Sequence, residues 1–374
     1  MFELQLLEAR DRRVEAIWRR LEVAAAASYF LSWGWIENWL ACLPAEALPQ
    51  LAVLHVRHEP AAAYFLARRT SWRHGALPSR ALYLNATGDA WHDGLRVEHN
   101  GILRASGSRV TLETMIERLP DGWHELYLPA VDGSAFPELN RLTDREAYRV
   151  LIDREMPAPY VDLETVRAVP GGYLSLLSSS MRTQIRRARR EVGALRVEIA
   201  TDERHAHDIY QDLVRLHAQR WHVRGERGAF GEPFFDHFHR RLISQRLRHG
   251  EIQLMRVSAG ARTIGCLYNL VHRRKVLFYQ SGLAQFSDPH VKPGYLCHAA
   301  AVEHNAATGM QVYDLLGGNA RYVHSLATGE TRLLWLRVQR RLARFAVEDR
   351  LRELKRAVTA WRQRLPVHGV PSQA

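Results

Sequence analysis

The chain has 374 residues, 47% of them apolar and 25% charged, which excludes a disordered or collagen-like polymer and exceeds the roughly 250–300 residues at which single cores stop growing, so two domains are expected. Fifty-two Lys and Arg against 40 Asp and Glu leave a net charge of +12; such a surface suits a polyanion (a nucleotide cofactor, an RNA, an acidic membrane face) or reflects only an arginine-rich composition. Cys42, Cys266 and Cys297 are scattered inside apolar runs, which excludes a disulfide framework and points to buried thiols in a reducing compartment.

In chain order, a helix-like start is followed by the apolar run "VAAAASYFLSWGWIENWL". Glu37 and Asn38 interrupt it, and fewer than ~18 clean apolar residues cannot span a bilayer, so a cytoplasmic chain is expected. "LAVLHVRH", "AAYFLARR" and "ALYLNAT" read as short strands, "VTLETMIERL" as a helix and "ELYLPAV" as a strand. "REMPAPYVDLETV", with Pro157 and Pro159 inside it, reads as a linker and places a domain boundary at 155/156.

The second part is more regular. In "SMRTQIRRARREVG", Met181, Ile185, Ala188 and Val192 form one apolar helical stripe and five arginines cover the rest. That basic face is either a solvated surface or a grip for phosphate. A strand "ALRVEIA", a helix over 203–220, the loop "WHVRGERGAFG" and a helix "PFFDHFHRRLISQRL" come next. Then come three antiparallel strands "EIQLMRVSA", "TIGCLYNLVH" and "KVLFYQSGL", a helix after "KPGYL", and the strands "QVYDLL" and "RLLWLRVQR". Residues 343–365 read as one further helix. No internal repeat is detectable, and no HExxH, paired CxxC, Walker loop, GxSxG or metal-spaced histidine set occurs.

Five of these stretches, in order, carry a resemblance: "MRTQIRRARR", "LHAQRWHVRGERGAF", "FYQSGL", "KPGYL", and "YDLLGGNARYVHSLAT" with "LLWLRVQRR". Over residues 175–340 they resemble the GNAT (general N-acetyltransferase) superfamily, more narrowly its BioF-like acetyltransferase family, often labelled CelD, a relative of the FemAB aminoacyl transferases. The first part is similar to the degenerate N-terminal half of such proteins. The fold implied is α/β (α+β): a degenerate GNAT-like domain over 1–155, a catalytic GNAT domain over 156–341, each a mixed, mostly antiparallel sheet flanked by helices, and a helical tail over 342–374.

The resemblance implies an acyltransferase moving an acetyl or longer acyl group from acyl-CoA to an amine, without metal, in a setting of polysaccharide or cell-envelope biosynthesis. Acyl-CoA would lie where two central strands part, its pyrophosphate at the start of the following helix. Exposed amides, a glycine and a cation suit that place: Pro293, Gly294, Tyr295 and Leu296 give the turn and amides, Lys292 the charge. The bland reading is a Pro-Gly loop ending before a helix. Free N–H groups near Gln280 and Ser281 would receive the thioester carbonyl. Tyr322 would protonate the leaving thiolate, against a plain packing role. Asp314 and His217 compete as base, beside a mechanism with no dedicated base. Arg220, Trp221, Glu226 and Asn319 are expected on the acceptor side, where a small molecule, glycan or peptide amine would bind. The fuller glycine-rich acetyltransferase signature is absent, which keeps two alternatives: an aminoacyl-tRNA-dependent transferase with tRNA as partner, and a non-catalytic scaffold. No long helical arm interrupts residues 175–340, and this favours CoA.

Overall fold

Two stretches of the chain fold by the same order of elements: strand, two helices, three strands, helix, strand, strand. The computed structural model describes residues 2–73, 77–136, 147–318, 321–348 and 350. The first stretch comprises β1 Phe2–Glu8, α1 Arg13–Ala24, α2 Trp33–Cys42, β2 Gln50–Val56, β3 Glu59–Arg73, β4 Leu77–Leu84, the short β5 Leu103–Arg104, α3 Leu112–Glu117, β6 Glu125–Asp132 and β7 Tyr148–Asp162. Three helices come after it, α4 Leu163–Ala168, α5 Gly172–Leu176 and α6 Ser179–Val192. The second stretch is β8 Leu195–Ile199, α7 Glu203–His222, α8 Pro233–Arg246, β9 Ile252–Ala259, β10 Arg262–His272, β11 Lys275–Leu283, α9 Pro293–Ala307, β12 Val312–Asp314, α10 Arg321–His324 and β13 Gly329–Arg340.

Local chemistry accounts for the boundaries. Ser32, Ser178 and Asp202 accept the N–H of Trp35, Met181 and His205, closing the starts of α2, α6 and α7. The β2–β3 and β10–β11 hairpins each turn on two residues with positive φ, Arg57 with His58 and Arg273 with Arg274, where Asn or Gly is usual. Arg273 has a second role: its guanidinium donates to the carbonyls of Glu22 and Ala25 at the end of α1, where the last carbonyls of a helix run short of intrahelical donors.

All the strands belong to one sheet in the order β1-β2-β3-β4-β6-β13-β7-β12-β11-β10-β9-β8, with β5 beside β3. The strand pairs β4–β6 and β11–β12 are parallel, and the rest are antiparallel. The last strands are exchanged. β7, from the first half, pairs with β12 of the second, and β13, from the second, pairs with β6 of the first. β7 and β13 pair with each other over 148–160 and 329–340.

This corrects two expectations. The chain opens with a strand rather than a helix, and residues 154–162 of the expected linker are the second half of β7, so the 155/156 position lies inside a strand. Pro157 and Pro159 fit there because β12 ends at Asp314. Their carbonyls accept the N–H groups of Gly318 and Leu315 in the chain just past that end, where no strand demands the donors proline lacks.

Helices α1, α2, α7 and α8 bury Trp18, Trp35, Phe65, Tyr210, Phe235, Tyr268 and Tyr279 in a core common to both halves. Two further cores lie elsewhere on the sheet, one under α6 and α9 that includes Val161 of β7, and one under α3 that includes Leu336 and Val338 of β13. Met181, Ile185 and Ala188 are buried as the helical stripe requires. Cys266 and Cys297 are buried free thiols and Cys42 is half-buried. Residues 343–348 are helical, and the remainder of the expected tail helix lies outside the described residues except Arg350.

Candidate functional site

The two parallel strands of the second half part after three residues. Lys275–Leu277 pair with Val312–Asp314, and then β11 runs on through Phe278–Leu283 against β10 alone. The register of β10 and β11 slips between Tyr268 and Asn269, leaving Tyr279 as a bulge. Gln280 and Ser281 come next, opposite Tyr268 and Leu267, with no strand among the described residues on their other edge. Gly282 brings α7 against this strand: a Cβ there would lie 2.2 Å from the Leu213 carbonyl oxygen, so no other residue allows the approach.

The cleft leads to the start of α9. Among the described residues no side chain caps that helix, and Lys292 at its N-cap is exposed. Pro293 has no N–H, and Leu296 returns its own to the Lys292 carbonyl at 3.1 Å. The amides of Gly294 and Tyr295 have no hydrogen-bond partner among the described residues. A Cβ at Gly294 would sit 3.5 Å from Tyr322, whose ring is 6.0 Å from Tyr295 and 6.3 Å from His298. Burial pushes the Tyr322 phenol above its ordinary value of 10, while Arg220 pulls the other way. The phenol is thus a proton donor at neutral pH.

His298 was not singled out from the sequence. It is fully buried, its Nδ1 lies 3.1 Å from the Tyr313 hydroxyl, and its Nε2 has no partner among the described residues. Its ring stands perpendicular to that of Phe278, with 4.5 Å between ring centres. Burial lowers it to about 4 and keeps it neutral. The only signal was one histidine among the small apolar residues of "LCHAAAV".

On the opposite face of the cleft, His217 lies buried in α7 against Phe230 and Trp221, at ring distances of 4.8 and 5.7 Å. Burial, then the charges of Arg220 and Arg96, lower it to about 4. Arg220 thus acts on both His217 and Tyr322, and Arg224 stacks on Trp221 at 5.3 Å. Glu226 is exposed in the loop after α7. Asn319 lies outside the described residues.

Asp314 is turned to the first half. Its carboxylate is 3.0 Å from His99 Nε2, and Asp132 approaches Nδ1 at 3.5 Å. Burial opposes the charge on His99, but the two carboxylates raise it to about 10, and Asp132 falls to about 2. Next to it, the Glu98 carboxylate accepts the N–H of Gly317. Burial, against the pull of that bond, raises Glu98 to about 7. Motif reading missed both residues, because they come from "GLRVEHN" in the first half, which has no period and no motif.

Among the described residues no group of His, Cys, Asp and Glu is disposed to hold a metal ion, and no helix is long and apolar enough to cross a membrane.

Residues 179–323 match the family model described as "Acetyltransferase (GNAT) domain". Compared by sequence with curated proteins, the chain has no match. Among solved structures it is similar to FemX at 7% identity, over 89% of this chain and 96% of that one, with a TM-score of 0.56. It is also similar to L-PGS from Bacillus licheniformis (9% identity, 90% and 94% covered, TM-score 0.51) and to a conserved protein from Bacteroides thetaiotaomicron (10%, 91% and 100%, 0.51). At these identities the likeness is one of fold. The chain has a GNAT-like fold, and its second half matches the acetyltransferase (GNAT) domain model over residues 179–323.

Proposed function

We propose that the cleft between β11 and β12 binds an acyl thioester of CoA and passes its acyl group to an amine. The observation that carries this reading is the coincidence of three features: a strand edge left free beyond Leu277, an uncapped helix start at the end of that edge, and a protonated phenol beside it. The amides of Gly294 and Tyr295, with Lys292 beside them, suit a pyrophosphate, since a helix start concentrates free N–H groups and positive potential. A β11 amide near Gln280 or Ser281 would hold the thioester oxygen as it gains charge. Tyr322 would give its proton to the departing sulfur.

An aminoacyl-tRNA donor is the second reading, favoured by the exposed arginines Arg186, Arg187 and Arg190 of α6. Part of that face is neutralised within the fold, because Arg189 pairs with Glu303 at 2.7 Å and Arg187 lies 4.0 Å from Glu191.

Calorimetric titration of the whole protein with acetyl-CoA, longer acyl-CoAs and tRNA separates the two. Micromolar acyl-CoA binding, weakened at least about tenfold in the Lys292→Ala, Gly294→Asp double variant, is expected, because an added carboxylate at a helix start repels an anion. A side chain at Gly294 meets only ordinary contacts, so the variant should fold. Salt-sensitive tRNA binding without acyl-CoA binding would overturn the proposal in favour of the second reading.

A further inference from the structure

Acyl transfer to an amine needs a group that takes a proton from the incoming ammonium, and the second half offers poor ones. Asp314 is held by His99. His217 is buried and neutral, with its affinity for a proton lowered to about 4. Glu226 points to solvent from an open loop.

The first half reaches into this place with residues 95–100. Both ends of the segment are pinned. The Tyr279 hydroxyl, in the bulge of β11, donates to the Leu95 carbonyl. His99 is clamped between Asp132 and Asp314, and Asn100 is bonded into the first half at the Leu84 and Ala130 carbonyls. Arg96 and His99 both adopt left-handed backbone, with φ of 50° and 47°, a conformation that costs energy for residues other than glycine and persists only where its surroundings enforce it. Glu98 is held between these two points. One oxygen accepts the Gly317 N–H, three residues past the end of β12, while the other has no hydrogen-bond partner among the described residues. Gly317 leaves room for this: a Cβ there would lie 2.7 Å from the Met156 sulfur and 3.1 Å from the Glu98 carboxylate, so those side chains would have to move.

We propose that Glu98, delivered from the first half to the mouth of the cleft in the second, is the base that deprotonates the acceptor amine. This rests on the transfer reading only in requiring an amine nucleophile. The ammonium gives one proton to the Glu98 carboxylate. The freed nitrogen forms its bond to the thioester carbon, the carbon–sulfur bond breaks, and sulfur leaves with the Tyr322 proton. The second proton lost by nitrogen restores the phenol, Glu98 sheds its own to water, and the sum is an amide, a free thiol and one released proton. The groups facing Glu98 are Arg96 and His99 on its own segment, Asp314 at the end of β12, and Tyr279 from β11. The two cations favour its charged form and Asp314 opposes it, so burial decides the balance, and the carboxylate changes state near neutral pH.

The test has two independent readouts. In the first, the carboxylic C=O infrared band present in the wild type and absent from Glu98→Gln is tracked against pH in the whole protein, without any substrate. A midpoint near 7 is expected, and one in the ordinary carboxylate range overturns the proposal whatever the donor proves to be. In the second, thiol release from acetyl-CoA with a panel of amines is measured against pH. Wild-type kcat/KM is expected to rise through about pH 7, and Glu98→Gln to lose that limb and about 10²–10⁴-fold in kcat, with acyl-CoA affinity within threefold of wild type. A Glu98→Gln variant that keeps rate and limb sinks the role of Glu98 while transfer stands. Absence of acyl-CoA binding and turnover in the wild type, with an infrared midpoint near 7, counts against the donor and leaves Glu98 supported.

Discussion

The two halves share an order of elements and diverge beyond their parallel strand pair. In the first, β4 pairs with β6 from Ala81 to Tyr83 and stops one residue later at Leu84. In the second, β11 runs on to Leu283 after its pairing ends. The gap thus created in the second half leads to a helix start that no side chain among the described residues caps. In the first half the same place is plugged by side chains. Asn85 accepts the Phe65 N–H at 2.8 Å and donates to Asn100 Oδ1 and the Gly101 carbonyl at 2.8 and 2.7 Å, while Asn100 donates to the Leu84 carbonyl at 3.0 Å. Two buried amides therefore do for the first half what a ligand would do for the second: they satisfy backbone groups that the parting strands leave without a ladder. The first half's counterpart of α9 is also short, a six-residue α3 capped by Thr111. One copy of the fold is sealed and the other open, and residues just beyond the seal, Glu98 and His99, reach across to the open copy.

The sharpest way to break this comparison is to treat tyrosines of the two halves alike. Tyr322→Phe is expected to lower turnover by about 10²–10⁴-fold with acyl-CoA affinity unchanged. Tyr83→Phe, which removes a hydroxyl from the first half's stacked Tyr83–Tyr127 pair, should leave steady-state turnover alone; equal losses would mean that the halves are not divided as described. Next in size, Asn85→Ala removes the acceptor of the Phe65 N–H and the donor to Asn100 Oδ1 and the Gly101 carbonyl, and should cost about 1–3 kcal/mol in urea unfolding, with acyl-CoA binding intact. A loss of binding instead would place part of the ligand site in the first half.

The last comparison concerns the clamp between the halves. His99 is raised in the folded protein to about 10 from an ordinary 6.5, so its contribution to stability is complete below about pH 6.5 and is lost as pH rises through 10. Thermal unfolding of wild type and His99→Gln should differ most at about pH 6 to 6.5, and the difference should shrink as pH rises and vanish above about pH 10. A gap that persists at high pH would assign His99 a packing role only.

Much of the second half was legible in the sequence because its signals are local. Strand alternation, the apolar stripe of α6 and the Pro-Gly step before α9 each depend on a few adjacent residues. Tyr322 was legible only through resemblance, and the structure puts it beside Gly294. The kinship of the halves was legible only through resemblance, and no repeat shows it, because a fold preserves burial patterns rather than identities: the hairpin turned by Arg57 and His58 in one half is turned by Arg273 and Arg274 in the other. β7 was misread because prolines normally exclude a central strand, and only the early end of β12 makes room for them. Glu98 and His99 were illegible for another reason. Their chemistry comes from contacts more than 200 residues away, at Asp314 and Gly317, and no local pattern encodes such a distance.

The exchange of β7 and β13 also sets the order in which the chain can be completed. A first half emerging from the ribosome has β6 as an exposed edge, and β13, which covers it, is made nearly 200 residues later. Until then β6 and β7 can pair with the wrong chain. Neither half can therefore finish before the other, and the protein passes inspection only as a whole.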